Sequence, residues 1–223
     1  MKIAAAAALA ASLLTLAAPA SATTYVGSTF GNPDPGATGN LVIDFESALP
    51  TGISFLSGSA YRIYQGTIVN RGVTPGGDTT KYLSVPGVGA AGTATLDFSG
   101  YTGAAITDFS FYWGSIDLQN SFSVVTNLGT LVITGGDVFA RTSGHATRPS
   151  NNQRVYFDLA PGETLSQLVF STTRPAFETD DFVFNTAAVP EPATWAMMVL
   201  GFGSLGGMLR RRKASSQQAI ASL

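Results

Sequence analysis

Short runs of alternating apolar and polar residues recur along the middle of this 223-residue chain, and glycine, proline or asparagine separates them. Side chains alternate between the two faces of a strand, so such runs are typical of half-buried β-strands. No apolar pattern with a 3.6-residue period persists long enough there to predict a helix. Ten strands are predicted, in the segments 41–46, 60–64, 81–85, 94–98, 106–113, 121–125, 130–133, 154–159, 165–170 and 177–184.

The number and spacing of these strands predict the fold class. About ten short strands in one region favour an all-β domain, an antiparallel β-sandwich of jelly-roll type, over residues 40–188. Residues 23–39 are rich in Gly, Pro, Asn and Thr, and we expect them to form a flexible lead-in. Gly135-Gly136 is predicted to mark a turn, and residues 141–153 a long polar loop.

The first 22 residues have the pattern of an export signal. Lys2 precedes an apolar run from Ile3 to Ala18, and Ala20-Ser21-Ala22 is a small-x-small pattern that signal peptidase accepts. The run has no polar face, so it does not fit an amphipathic helix of the fold. The sequence therefore predicts a signal helix in residues 1–22 that signal peptidase removes by cleavage after Ala22.

A second hydrophobic stretch lies near the C-terminus. Trp195 to Leu209 contains fifteen uncharged residues. As a helix this stretch would reach about 22 Å, less than the bilayer core of about 30 Å. The cationic run 210–213 holds the C-terminal side in the cytoplasm, because positive charges stay on that face. Pro190 and Pro192 disfavour helix before Trp195 and leave an extended peptide that a protease can reach.

These features together resemble the PEP-CTERM sorting signal of Gram-negative bacteria, in its PEPxxWA variant. The resemblance covers residues 188–213 and rests on Pro190, Glu191, Pro192, Trp195, Arg210, Arg211 and Arg212. It implies a substrate of an exosortase, which removes the tail near the Pro-Glu-Pro triplet, with residues 214–223 as a cytoplasmic tail. The protein would pass through the inner membrane and then reach the cell surface or an extracellular matrix of exopolysaccharide. A plain membrane anchor is the rival interpretation of the same stretch.

Composition excludes several classes of function. The chain has no cysteine, so thiolate catalysis, cysteine-ligated zinc and disulfides are excluded. Residues 23–188 carry seven cationic and thirteen acidic side chains, a net charge of −6. An acidic exported domain does not suit binding to nucleic acid or to an anionic membrane surface.

Acidic residues near the two ends of the domain form a candidate calcium site. Asp44 and Glu46 share one face of the first predicted strand, and Asp181 or Asp180 lies in the last. These strands resemble the terminal strands of carbohydrate-binding jelly rolls, a resemblance that implies calcium held by paired carboxylates. Solvated strand faces are the alternative interpretation, since no EF-hand spacing is present.

Aromatic residues of the segment 106–113 suggest a candidate carbohydrate site. Alternation places Phe109, Phe111 and Trp113 on one face, which we expect to be core. Tyr112 lies on the other face, where its ring could stack on a sugar while Asp117 and Asn120 bind hydroxyls. Core aromatics followed by a turn with Asp and Asn are the alternative.

Enzymatic functions are poorly supported. His145 is the sole histidine and lies in the polar loop, which excludes the usual zinc sites and disfavours a Ser-His-Asp triad. Glu46, Glu163 and Glu178 could serve a glycosidase, which needs two carboxylates. We therefore expect a non-enzymatic surface or matrix protein. The alternatives are a calcium-assisted carbohydrate-binding module and, third, a glycoside hydrolase or lyase.

Overall fold

Twelve strands and one short helix are found among the residues that the structure describes. The computed structural model describes residues 22–31, 39–139, 151–187 and 200–202, and the chain divides into two compact units, Met1–Thr186 and Ala187–Leu223. The strands are β1 Thr24–Phe30, β2 Leu41–Ile43, β3 Ser54–Phe55, β4 Arg62–Gln65, β5 Lys81–Val85, β6 Gly92–Asp97, β7 Ile106–Gly114, β8 Asn120–Thr126, β9 Gly129–Thr134, β10 Gln153–Asp158, β11 Leu165–Thr172 and β12 Phe177–Thr186. Helix α1 spans Gly135–Phe139.

The strands form two antiparallel sheets with jelly-roll connections. The first sheet has the order β1-β10-β7-β12-β5-β4, with β2 also paired to β12, and the second has the order β3-β6-β11-β8-β9. From β5 to β12, the strands therefore follow the orders 5-12-7-10 and 6-11-8-9, the double Greek key of a jelly roll. The predicted all-β sandwich is confirmed.

Aromatic rings from both sheets fill the space between them. Phe111 of β7 lies 4.7 Å from Phe122 of β8 and 6.1 Å from Phe170 of β11, measured between ring centroids. Trp113 stacks on Phe177 at 4.4 Å. All five side chains are fully buried, which confirms the predicted core face of β7. Burial of apolar surface at this density supplies the main stabilising free energy, since the chain has no disulfide.

All ten predicted strands correspond to observed ones, whereas two observed strands, β1 and the two-residue β3, were not predicted. Three points need correction. Thr24–Phe30, which the sequence placed in the flexible lead-in, is an edge strand paired with β10. It has few apolar residues, and backbone hydrogen bonds to β10 hold it in the sheet. The first predicted strand ends at Ile43, and Phe45 has a φ of 56° that strand geometry does not allow. Gly135-Gly136 begins helix α1, where Thr134 and Asp137 form a capping box of reciprocal hydrogen bonds.

A β-bulge interrupts β12 at Asp181. Phe177 and Phe182 both lie in the core, although five positions along an unbroken strand would put them on opposite faces. The pairing with β7 shifts between Asp180 and Val183, and Asp181 has a φ of 49°. A bulge adds one residue to a strand and turns the neighbouring side chains. Here it lets two consecutive aspartates lie on the outer side of the sheet.

Residues 66–80, which we call the cover loop, close over the outer face of β5, β12 and β7. Gly114 allows the loop to approach, because a Cβ there would lie 2.8 Å from the Cγ of Pro75. The sheet donates to the loop backbone from Tyr82 to Gly66 and from Ser84 to Arg71. The outer face of these strands is consequently a second buried region, polar where the sandwich core is apolar.

The C-terminal unit is described at residues 200–202, which are helical. The predicted short hydrophobic helix extends over positions outside the described residues, as do the signal helix before residue 22 and most of the polar loop 141–153. Within the described part of the chain, no helix is long and apolar enough to cross a membrane.

Candidate functional site

Three aspartates converge where the cover loop meets the bulge of β12. Asp78 comes from the loop, and Asp180 and Asp181 come from the strand. One carboxylate oxygen from each lies within 4.8 Å of the other two. Carboxylate oxygens are the ligands that Ca²⁺ and other hard cations prefer, and the cluster contains no nitrogen or sulfur donor. We call these three residues the aspartate cluster.

Two of the three carboxyl groups are buried with unused acceptor atoms. Asp180 is fully buried and Asp78 is 8% exposed. The hydroxyl of Thr80 lies between them, in contact with Asp78 Oδ1 and 3.1 Å from Asp180 Oδ2. Asp78 Oδ2 and Asp180 Oδ1 have no hydrogen-bond donor among the residues that the structure describes. A buried carboxylate oxygen without a donor is costly, so it needs a proton or a cation.

Electrostatics in the cluster also indicate that it needs a proton or a bound cation. Burial, and then the charges of Asp181 and Asp78, raise the pKa of Asp180 to about 10. Arg154 is buried nearby and donates from Nη1 to the backbone oxygen of Asp181 at 2.9 Å. At neutral pH the Asp180 carboxyl group therefore keeps its proton unless a cation replaces it.

The structure does not bring Asp44 and Glu46 into this cluster. Asp44 accepts hydrogen bonds from the backbone of Glu46 and from Ser47, an Asx turn that ends β2. Glu46 forms an ion pair with Lys81 at 3.2 Å, and both side chains are about 40% exposed. Of the predicted calcium ligands, Asp181 and its alternative Asp180 take part in the aspartate cluster, whereas Asp44 and Glu46 do not.

The predicted carbohydrate residues do not form an exposed platform. Tyr112 lies on the outer face, as alternation predicts, but the cover loop buries it completely. Burial, and then the charge of Asp78, raise the pKa of Tyr112 to about 12. Asn120 is 1% exposed and donates to the carbonyl of Ala176. Asp117 is half-buried, bonded to Gln119, and burial raises its pKa. Tyr112 therefore cannot stack on a sugar at the surface.

The three glutamates considered for a glycosidase each form an ion pair or hydrogen bonds within the domain. Glu46 is held in the ion pair with Lys81. Glu163 is 3% exposed and accepts hydrogen bonds from Thr23 at the start of the domain and from Thr126 at the end of β8. Glu178 is 2% exposed and accepts from the backbone of Val73 in the cover loop. Burial raises the pKa of Glu178 to about 8, because its effect is larger than that of the hydrogen bond from Val73, which lowers the pKa.

A shallow pocket of about 180 Å³ lies on the outer face of the first sheet, and its lining residue Arg154 donates to the backbone oxygen of Asp181 in the aspartate cluster. Tyr156 supplies a partly exposed aromatic ring there. The polar residues that line the pocket are Asp108, Ser110, Arg154, Tyr156, Asp158 and Asn185. An aromatic ring with converging amide and carboxylate groups is the chemistry that binds sugars.

Two features of this region escaped the sequence analysis. Asp78 lies in a glycine-rich segment with no strand pattern, and it reaches Asp180 only because the cover loop folds back over the sheet. The bulge could have been inferred from the sequence, because Phe177 and Phe182 are separated by an odd number of positions that includes Asp180-Asp181. Tyr156 was placed correctly in a strand, but nothing in the sequence showed which face of that strand stays open.

The described domain is thus a jelly roll with a buried acidic cluster on its outer face. Residues 188–213 match the family model of the PEP-CTERM protein-sorting motif. This match confirms the predicted sorting tail and supports an exported protein, anchored in the membrane by its C-terminal segment until an exosortase processes it. Comparison with curated proteins gives no match. Except for residues 200–202, the motif, with Pro190, Trp195 and the arginines, lies outside the residues that the structure describes.

Proposed function

We propose that the mature protein is a non-enzymatic component of the cell surface or of an exopolysaccharide matrix. The sorting motif at residues 188–213 is the observation that carries this proposal, because it directs a chain to an exosortase. Signal peptidase removes the N-terminal segment, and the exosortase then removes the tail. The jelly-roll domain is the part that reaches its destination.

The state of the glutamates supports a non-enzymatic role. A glycosidase needs two carboxyl groups that face one open cleft. Glu163 and Glu178 are buried and already hydrogen-bonded, and Glu46 is paired with Lys81. Their arrangement matches structural roles in closing loops and pairing strands.

Fractionation of the native host tests this proposal. The full chain is expected in the exopolysaccharide fraction, and a variant with alanine at Pro190, Glu191 and Pro192 is expected to stay with the inner membrane. A variant with the exposed Leu118 changed to alanine serves as a control and should fractionate like the wild type. Equal fractionation of the wild type and the triplet variant would contradict the sorting role. Hydrolysis of a polysaccharide panel that is lost in Glu178→Gln would instead favour a glycoside hydrolase or lyase over the non-enzymatic role.

A second candidate function is calcium-assisted carbohydrate binding. The specific observation is the pair of buried, donorless oxygens of Asp78 and Asp180 beside a pocket that contains Tyr156. Arg154 belongs to both features, since it lines the pocket and donates to the backbone oxygen of Asp181. A cation in the aspartate cluster would fix this corner of the sheet and with it one wall of the pocket.

Glycan-array binding with calcium or with chelator tests the second candidate. Binding should require calcium and should be lost in Tyr156→Ala, which removes the ring of the pocket. Tyr101→Ala is the matched control, because Tyr101 lines a different pocket on the protein. Binding that survives Tyr156→Ala, or the absence of binding to any glycan with calcium present, would contradict this function.

A further inference from the structure

Thr23 and Glu163 form a buried contact between the start of the domain and a turn near its end. The backbone nitrogen of Thr23 donates to Glu163 Oε1 at 3.1 Å, and the Thr23 hydroxyl donates to the same oxygen at 2.7 Å. Thr126 donates to Oε1 at 2.5 Å, and the backbone of Ala160 donates to Oε2 at 2.8 Å. Thr23 is 6% exposed and Glu163 is 3% exposed.

Glu163 is a buried anion that forms no ion pair within the described part of the chain. Burial alone would raise its pKa, but hydrogen bonds from Thr126, Ala160 and Thr23 outweigh that effect and lower it. No lysine or arginine forms an ion pair with Glu163 among the residues that the structure describes. A buried carboxylate is normally paired with a positive charge. One of the hydrogen-bond donors to Glu163 is the backbone nitrogen of Thr23, which in an uncut chain is a neutral amide.

The predicted signal-peptidase cut falls at this same nitrogen. Ala20-Ser21-Ala22 predicts cleavage after Ala22, and the cut converts the amide nitrogen of Thr23 into an α-ammonium group. Ala22 is exposed, whereas Thr23 is buried. The peptide bond to be cut therefore lies where the chain passes from the surface into the Glu163 site.

We propose that Glu163, Thr126 and the backbone of Ala160 form a binding site for the α-ammonium group of the chain's own processed N-terminus. Signal-peptide removal supplies the missing cation, and an ion pair replaces a neutral hydrogen bond. Charge-assisted hydrogen bonds are about twice as strong as neutral ones, so processing stabilises the domain. The pair also secures β1, the edge strand that begins at the next residue. This inference rests on export with cleavage after Ala22.

Two measurements test the site separately from the cleavage. Mass spectrometry of the exported protein reports the cut, and a mature chain that begins at a residue other than Thr23 would overturn the proposal. Thermal unfolding then compares three chains in one detergent buffer: Thr23 to Leu223 with a free amine, the same chain acetylated, and a chain that begins one residue earlier at Ala22. The free-amine chain is expected to have a Tm higher by about 2–5 °C than either of the others.

Variants at Glu163 and Asp158 test whether the effect arises at the Glu163 site. In Glu163→Gln the Tm differences among the three chains should disappear. Asp158→Asn is the matched control, because Asp158 is exposed and pairs with Thr24 across β1 and β10, close to the same terminus. It should leave the differences intact. Equal Tm values for the three wild-type chains, or differences that persist in Glu163→Gln, would overturn the ammonium site.

A chemical readout covers the case in which Glu163→Gln does not fold. Periodate cleaves the 1,2-amino alcohol of an N-terminal threonine, and here both the nitrogen and the hydroxyl of Thr23 are bound to Glu163. Oxidation of the folded wild-type chain should be at least about tenfold slower than oxidation of the same chain in urea, because reaction requires local opening. Equal rates would show that the terminus is free in solution and would contradict the site.

Discussion

The hydroxyl of Tyr112 donates a hydrogen bond of 2.5 Å to the carbonyl oxygen of Gly76. This contact joins the central strand β7 to the cover loop and buries a tyrosine that alternation had placed on an outer face. The loop thereby gives the first sheet a polar interior on the side away from the sandwich core. The aspartate cluster forms at the edge of that interior.

Removing this hydroxyl should destabilise the domain without affecting a ligand. Tyr112→Phe leaves the Gly76 carbonyl without its donor, and we expect a loss of about 1–2 kcal/mol in the free energy of unfolding in urea. Tyr156→Phe is the control: its hydroxyl pairs with Thr29 at an exposed position, so a loss below about 0.5 kcal/mol is expected. Equal losses in the two variants would show that Tyr112 is not held by the loop.

The aromatic core should respond most strongly to truncation. Among the residues that the structure describes, Phe111 contacts five other rings, Trp113, Phe122, Phe157, Phe170 and Phe182. Phe111→Ala is expected to cost about 3–5 kcal/mol in equilibrium unfolding, because the removed ring leaves a cavity that the sheets cannot close. Val132→Ala, at a position that is 57% exposed, should change stability by less than about 0.5 kcal/mol.

Burial of Glu178 predicts a pH dependence of stability. Its pKa rises from 4.5 to about 8 on folding, so the folded state retains a proton that the unfolded state loses. The stabilising effect of the neutral carboxyl is complete below pH 4.5 and decreases as the pH rises to about 8. Over that interval Glu178 contributes a loss on the order of 4 kcal/mol. Glu178→Gln should remove this contribution and keep the one from Asp180, whose pKa is also raised, so its slope should be shallower than that of the wild type.

Unfolding in urea at several pH values between 4 and 9 measures this slope. Glu46→Gln removes an exposed ion pair, so it should cost less than about 1 kcal/mol and retain the wild-type slope. A Glu178→Gln variant with the same slope as the wild type would contradict the assignment of the proton to Glu178.

Calcium should stabilise the domain through the aspartate cluster. With a dissociation constant typical of extracellular sites, about 10⁻⁴–10⁻³ M, 10 mM calcium would raise the Tm by about 3–8 °C. Asp180→Asn should abolish the shift. The double variant Asp44→Asn and Glu46→Gln, which changes the acidic pair that the sequence favoured, should retain the calcium-induced Tm shift. Loss of the shift in the double variant and its retention in Asp180→Asn would instead place the calcium at Asp44 and Glu46.

The sequence predicted the fold better than the sites. Alternation is a local property, and it predicted ten strands and the core face of β7, including Phe111 and Trp113. Edge strand β1 was missed because half-exposed residues with a glycine show little alternation. The cluster depends on Asp78 meeting Asp180 across 102 positions, through a loop whose path has no periodic pattern. Local patterns contain no information about such contacts.

The sorting tail is the exception, because its function is read as a linear peptide. Pro190, Glu191, Pro192, Trp195 and the arginines act in sequence order, and the family match over residues 188–213 agrees with their interpretation. Folding is not needed to bring them together. A site of that kind can be predicted from sequence alone.

The mass of the mature protein tests the central claim, that the tail is a sorting signal removed by an exosortase. Protein isolated from the native host should lack the hydrophobic segment 195–209 and end near Pro190–Pro192. In a host without exosortase, or with alanine in place of the triplet, the mass should correspond to a chain that still ends at Leu223. An intact tail on the wild-type protein in the native host would contradict the account.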